Sequence, residues 1–161
     1  MTAPLVGWRT WSLHDDRLVG ATGWPWKARI RRAWCVSWHD PGIADVPFDH
    51  CVCGLYAYKD RSAVVAQGPS IWGQVTLWGR VAIHEGGYRA EWARIDSLWT
   101  RNHSYKKALL RIFPTLCEDP DGGLVFLDDD LDAKLQILTA QAEWAGLGLE
   151  TSESAPGPLL L

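Results

Sequence analysis

The sequence lacks the features that would indicate a membrane-spanning, secreted or fibrous protein. No apolar run approaches the roughly 20 residues that a membrane span needs. Residues 1–5 have neither the charged nor the apolar part of a secretory signal. Hydrophobic residues make up 47% and charged residues 22% of the 161-residue chain, as in a globular protein with one sizeable core. We therefore expect a cytoplasmic protein with no membrane partner.

The sequence also lacks the short motifs that identify common enzyme classes. It contains no phosphate-binding loop, dinucleotide fingerprint, nucleophile elbow or twinned Cys-x-x-Cys pair. One weak catalytic group remains around a predicted turn, and it consists of His84, Glu85, Arg89 and Glu91. These residue types serve acid–base or phosphoryl-transfer chemistry, but they equally suit a charge pair between two strands. An enzyme acting here or at an open metal site is the third function that we consider.

Tryptophan and charge are distributed unevenly along the chain. There are 11 tryptophans against one Met and three Phe, and ten of them precede residue 100. Residues 1–112 contain 15 basic and 9 acidic residues, a net charge of +6, whereas residues 113–161 contain 1 and 10, a net charge of −9. A small domain cannot easily bury eleven indoles, so some are expected on the surface. The total of −3 hides a basic, Trp-rich body and an acidic C-terminal part.

The hydrophobic pattern predicts an α+β fold. Apolar alternation and turn residues predict one hairpin over residues 7–21 and a longer one over residues 71–95, at the centre of the sheet. Helical signals follow at residues 105–113, with Ser104 as the cap, and at about residues 130–145. The interpretation is a single α+β domain over residues 1–149, with a Trp-rich antiparallel sheet or half-open barrel followed by two short helices. A disordered C-terminal tail is expected over residues 150–161.

A metal site is predicted from the spacing Cys35-x3-His39-x11-Cys51-x-Cys53, with His50 as a spare ligand. A structural zinc ion takes four tetrahedral ligands from Cys thiolates and His nitrogens, and this set supplies them. A disulfide framework is not expected without a secretory signal. In the alternative interpretation, Cys35 and Cys53 are small buried residues beside strands and the histidines are solvated.

A basic, aromatic stretch predicts a ligand-binding surface. Its members are Trp24, Trp26, Lys27, Arg29, Arg31, Arg32 and Trp34. Lys and Arg bind phosphates, and a Trp side chain stacks on an unpaired base with ~1–3 kcal/mol. The first functional hypothesis is thus a small non-enzymatic binding module, stabilised by zinc, that recognises nucleic acid or a nucleotide-like ligand.

Two other interpretations of this stretch remain open. The indoles would pack on the sheet and the arginines would pair with the acids after residue 112 if the stretch serves only the fold. The second functional hypothesis is a protein-interaction or inhibitor domain, because Trp and Arg are enriched at the energetic centres of protein interfaces.

Overall fold

The structure is a computed structural model, and it describes residues 3–20, 23, 25–26, 28–33, 35, 47, 51–66 and 71–127. In chain order these form β1 (Leu5–His14), β2 (Arg17–Val19), β3 (Pro25–Trp26), β4 (Ile30–Arg32), β5 (Leu55–Tyr58), α1 (Arg61–Val65), β6 (Ile71–Ile83), β7 (Gly87–Trp99), α2 (His103–Ile112), β8 (Leu116–Glu118) and β9 (Leu124–Phe126). The predicted α+β class is confirmed, because the described residues form a mostly antiparallel sheet and two short helices. Of the two helices predicted after the sheet, the one at residues 105–113 corresponds to α2. The helix predicted at about 130–145 and the tail at 150–161 lie outside the described residues.

The hairpin of β6 and β7 is the centre of the sheet, as the alternation of residues 71–95 predicts. Each strand has 13 residues, and they pair from Trp72↔Trp99 to Ile83↔Tyr88. The backbone N–H of His84 closes the turn by donating to the carbonyl oxygen of Gly87 at 2.8 Å. β6 pairs with β1 along its other edge, whereas β7 pairs in succession with β5, β4 and β9.

The first hairpin is also confirmed. β1 and β2 are joined by Asp15 and Asp16, whose φ angles are 49° and 57°. A two-residue turn with both residues in the left-handed region matches the right-handed twist of the strands it joins. Aspartate tolerates that region because its short side chain can bond to nearby backbone groups.

The half-open barrel is not confirmed, because the sheet is not a barrel. Its strand order is β3-β2-β1-β5-β7-β9-β8, with β4 and β6 attached beside this path. Within the described residues, β3 pairs with one neighbouring strand and β8 with another, so the sheet keeps two ends. The order along the chain also differs from the expectation: α1 precedes the long hairpin, and β8 and β9 follow α2.

The two helices are short, and α2 is capped by a residue other than the predicted one. The sequence favoured Ser104 as the N-cap, but the side chain of Asn102 accepts from the backbone N–H groups of Ser104 and Tyr105. Asn and Ser are comparably good caps, so residue preference alone does not choose between them. In the part of the chain described here, neither helix has the length and apolar character needed to cross a bilayer.

The core lies where the sheet's inner face meets α2 and the short strands after it. Its fully buried side chains include Leu18, Leu55, Ile71, Leu77, Ile95, Leu98, Leu109 and Leu124. Phe113 and Phe126 meet edge to face, with ring centroids 5.6 Å apart. Burying a Leu or Phe side chain contributes about 1.5–3 kcal/mol, so these contacts attach α2 and β9 to the central hairpin.

Replacing Asn102 by Ala should lower the free energy of unfolding by about 1 kcal/mol, because two backbone donors lose their acceptor. Ser104→Ala is the matched control and should change it by less than about 0.5 kcal/mol. Urea unfolding followed by circular dichroism measures both. Equal effects of the two changes would contradict the assignment of Asn102 as the cap.

Replacing Gly73 by Ala should lower the free energy of unfolding by about 1–3 kcal/mol, as overpacking does. A Cβ at this position would collide with the carbonyl oxygen of Ser97 and lie 3.1 Å from the Trp11 ring. Gly86→Ala is the control, since nothing lies within 4 Å of its added Cβ. The entropy of the unfolded chain favours alanine at both positions, so an equal loss for Gly86→Ala in the same urea titration would contradict the close approach at Gly73 as the cause.

Candidate metal centre

Three cysteine side chains converge beside the central hairpin. The Sγ atoms of Cys35, Cys51 and Cys53 all lie within 4.8 Å of one another, and those of Cys35 and Cys51 are 3.5 Å apart. Cys35 and Cys53 are buried, and Cys51 is half-buried. The two segments of the predicted metal motif therefore meet, and the three cysteines could hold a metal ion.

The pairing of two short strands with β7 explains this convergence. β4 runs antiparallel to β7 from Arg94 to Trp92, and the N–H of Ala33 continues the ladder to the carbonyl oxygen of Glu91 at 2.7 Å. β5 takes over at the next residue, where Leu55 pairs with Ala90. The end of β4 and the start of β5 thus meet on the same edge of β7. Cys35 follows the first strand and the Cys-x-Cys pair precedes the second, so their side chains reach the same place.

Gly54 makes the turn from the second cysteine into β5. Its φ angle is +123°, which favours glycine. A Cβ there would lie 3.1 Å from the Cβ of Pro47 and 3.2 Å from that of Arg89, so the backbone also passes too close for a larger residue. This glycine fixes the direction in which Cys53 enters the strand.

The buried side chain of Arg89 holds the backbone of the Cys-x-Cys segment. Its Nη1 donates to the carbonyl oxygens of Cys51 and Cys53, the latter at 3.1 Å. Its Nε donates to Nε2 of His84 at 3.1 Å. Two residues predicted as weak catalytic candidates therefore support the loop that carries the thiols.

Tyr56 ties the middle of the same segment to the sheet. Its hydroxyl donates to the carbonyl oxygen of Val52 at 2.6 Å. Burial raises the pKa of Tyr56, an effect that the nearby charge of Arg89 opposes. The phenol therefore stays protonated and keeps donating at any ordinary pH.

The metal itself is not identified by this geometry. Thiolates bind zinc, Cu(I) and iron–sulfur clusters, so the three sulfur atoms favour a soft metal without choosing among them. His39 and His50, the predicted fourth and spare ligands, lie outside the described residues. The described residues therefore supply three of the four ligands that a structural zinc ion takes.

The other catalytic candidates do not join His84 and Arg89. Glu91 is 1% exposed, and its Oε1 pairs with Nη2 of Arg32 at 2.8 Å. Its Oε2 accepts from the backbone N–H of Arg80 at 3.3 Å, while Glu85 is exposed in the turn. The acidic and basic groups of this hairpin have separate partners among the described residues. Catalysis here gains no support from their geometry.

The described members of the basic, aromatic stretch are mostly engaged inside the fold. Trp26 is 2% exposed and meets Trp11 edge to face at 5.6 Å. Arg29 donates through Nε to the carbonyl oxygen of Ile95 at 2.7 Å, and its guanidinium lies 4.0 Å from the centre of the Phe126 ring. Trp24, Lys27 and Trp34 lie outside the described residues.

Most of the acids after residue 112, with which the sequence suggested that the stretch's arginines pair, lie outside the described residues. Within the described residues, Arg31 and Arg32 have other partners. Arg32 pairs with Glu91, and Arg31 donates to the carbonyl oxygen of Pro25. Glu118, one of those acids, pairs instead with Lys106. Glu91 therefore balances the charge of Arg32, whereas Arg31 has a neutral carbonyl group as its acceptor.

One buried cation was missed in the sequence analysis. Arg9 is 6% exposed, donates to the carbonyl oxygen of Tyr56 and lies 5.3 Å from the centre of the Trp26 ring. The signal was present, because strict alternation along β1 puts Arg9 on the same face as Gly7 and Trp11, both buried. Arginine is rarely buried, so an arginine at an inward-facing position of a strand indicates a residue with a special role.

No comparison identifies a relative of this chain. Neither the family models, nor the curated proteins, nor the solved structures contain a match.

Arg32→Met should lower the free energy of unfolding by about 2–4 kcal/mol, because it leaves the Glu91 carboxylate buried without its cation. Adding Glu91→Gln should recover part of this loss, since the double variant holds no unpaired charge. Arg111→Met is the control, because that side chain is 71% exposed and its pair with Asp16 spans 3.5 Å. Chemical unfolding of the wild type, Arg32→Met, Glu91→Gln and the double variant completes a double-mutant cycle. Additive losses would show that the two side chains do not interact.

Proposed function

We propose that this protein is a small non-enzymatic binding module whose fold is stabilised by a structural zinc ion. Cys35, Cys51 and Cys53 supply three ligands, and His39 supplies the fourth, with His50 as the alternative. The convergence of three thiols from two separate segments carries the proposal. Two of the thiols are buried, as expected of a closed structural site rather than an open catalytic one.

The position of the site explains what zinc would contribute. β4 has three residues and β5 has four, so each strand makes few bonds of its own to β7. A metal ion bound to the end of one and the start of the other joins them directly. Zinc binding contributes about 10–16 kcal/mol in small zinc-dependent domains, far more than such short strands supply. Arg89 orients the ligand loop through the carbonyl groups of Cys51 and Cys53.

The ligand that we propose for the module is nucleotide-like, a small molecule carrying a phosphate group. The excess of basic residues over residues 1–112 supports an anionic ligand. A nucleic acid strand needs several exposed cations along a track, together with open aromatic faces. Trp26 is buried, and Arg29 and Arg32 bind Ile95, Phe126 and Glu91 instead. A compact ligand with one anionic group therefore fits the described residues better than a strand.

A second candidate function, protein interaction, is favoured by the face of the sheet that carries Trp8, opposite the face that carries Arg9. The guanidinium of Arg61 lies 5.6 Å from the ring centres of both Trp8 and Trp99, and these two rings are 5.8 Å apart. Both indoles are half-buried, and Val6 and Tyr58 beside Trp8 are exposed. Trp, Tyr and Arg together are typical of interface centres, so this face supports the protein-interaction alternative.

Native mass spectrometry of the freshly purified chain, without chelator, should show the 18.0 kDa protein carrying one zinc ion. The double change Cys51→Ser, Cys53→Ser should abolish the added mass, because one thiolate and one imidazole do not retain zinc. Cys117→Ser is the matched control, since Cys117 lies on β8, outside the cluster. A wild-type chain that carries no metal, even after zinc is supplied, would overturn the proposal, as would zinc retained by the double variant.

A further inference from the structure

Two arginines share the inner face of the sheet without an acidic partner. Arg9 on β1 pairs with Gly73, and Arg31 on β4 pairs with Ala93, which in turn faces Leu77. Directly paired residues in antiparallel strands project to the same side, and Gly73 and Leu77 are four residues apart on β6. Arg9 and Arg31, called the arginine pair below, therefore project toward the core side.

The partners of the arginine pair are neutral. Nη1 of Arg9 donates to the carbonyl oxygen of Tyr56, and Nη1 of Arg31 donates to that of Pro25. The Nε–H of Arg9 is buried and has no acceptor. None of the ion pairs within the described part of the chain includes either residue. A guanidinium has five N–H donors, so most of the binding capacity of the pair is unused.

The fold makes room for the head group of Arg9. A Cβ at Gly20 would lie 2.8 Å from its Nη2, so any larger residue there would displace the guanidinium. The same guanidinium lies 5.3 Å from the centre of the Trp26 ring. Arg9 is thus fixed in place, whereas Arg31 is half-buried and within reach of solvent. The charge of Arg31 is near enough to lower the pKa of Arg9, so a ligand bound at Arg31 is within the electrostatic influence of both cations.

Burial makes these charges costly in the absence of an anion. Loss of hydration and, to a smaller extent, the neighbouring charge of Arg31 together lower the pKa of Arg9 to about 10, against a smaller opposite effect of Tyr58. Loss of hydration likewise lowers the pKa of Arg31 to about 10. Above about pH 10 the folded chain would release these protons before the unfolded chain does, so stability would rise with pH there. At neutral pH the full cost of both charges is present.

We propose that the arginine pair binds an oxyanion, the phosphate group of the nucleotide-like ligand. The planar guanidinium suits phosphate because two N–H groups can donate in parallel to two oxygens. The unused Nε–H of Arg9 and the free donors of Arg31 supply such groups, and a bound dianion offsets both charges at once. This inference rests on the proposed ligand class and names its anchoring group, but it does not depend on the metal.

The test uses the full chain in a low-salt, phosphate-free buffer with three probes: inorganic phosphate, adenosine monophosphate and adenosine. Phosphate and the monophosphate should raise the unfolding temperature and bind in calorimetry, whereas adenosine should do neither. Arg31→Gln should weaken binding of both anions at least about tenfold, since it removes a charge-assisted contact. Arg111→Gln, at a guanidinium that is 71% exposed, is the matched control and should bind like the wild type.

Arg31→Met gives a second measurement that a merely structural arginine would not produce. Removing an uncompensated charge should leave the unfolding temperature in phosphate-free buffer equal to or above that of the wild type. Added phosphate should then no longer raise it. A variant that is destabilised yet still gains stability from phosphate would overturn the site.

The outcomes separate this inference from the proposed function. Equal weakening by Arg31→Gln and Arg111→Gln, or none by either, would overturn the arginine pair as the site while leaving a monophosphate ligand in place. Wild-type protein that responds to neither phosphate nor the monophosphate would overturn both the site and the ligand class. The zinc content of the same samples tests the metal separately, because neither arginine contacts the three thiols.

Discussion

Strand β7 is hydrogen-bonded along both edges, and the rest of the structure depends on this constraint. β6 occupies one edge, while β5, β4 and β9 divide the other among them. Between these strands the ladder continues, since Glu91 accepts from Ala33 and Ile95 donates to the carbonyl oxygen of Arg29. Segments distant in sequence are therefore placed by their position along one strand. The cysteine cluster exists because the end of β4 and the start of β5 meet along the same edge of β7.

A strand paired along both edges leaves few places where a charged side chain can reach water. The buried charged side chains of β7 and of β1 therefore have different kinds of partner. Glu91 has Arg32 as a counter-ion and a backbone N–H as a second donor. Arg89 has carbonyl groups and an imidazole, and these orient the cysteine loop. Arg9, on β1, has one carbonyl group and an aromatic ring. Glu91 and Arg32 thus form a closed structural pair, and Arg89 supports the metal loop. Arg9 retains unused donors, and for this reason it alone among the three indicates a ligand.

The sequence was informative where local signals and burial agree. The long hairpin followed from period-two alternation around Gly86, and the turn at Asp15 and Asp16 from residue preference. β3 and β4 have two and three residues, too few for a period to emerge. The types and spacing of the cysteines predicted the cluster, but whether Cys35 would reach the Cys-x-Cys pair depended on the order of pairing along β7. That order is a long-range property that no short window contains.

The double-sided pairing of β7 also limits how the length of this chain can vary. Because side chains alternate along a strand, one inserted residue between Arg89 and Ile95 would exchange inward and outward positions on one side of the insertion. The pairings of β4, β5 and β6 with this part of β7 would have to shift together. Extra residues beside Gly86, where a side chain would meet only open space, would leave the register untouched. Natural variation in chain length is therefore expected at the tip of the hairpin, whereas the count of residues from Arg89 to Ile95 is fixed by the fold.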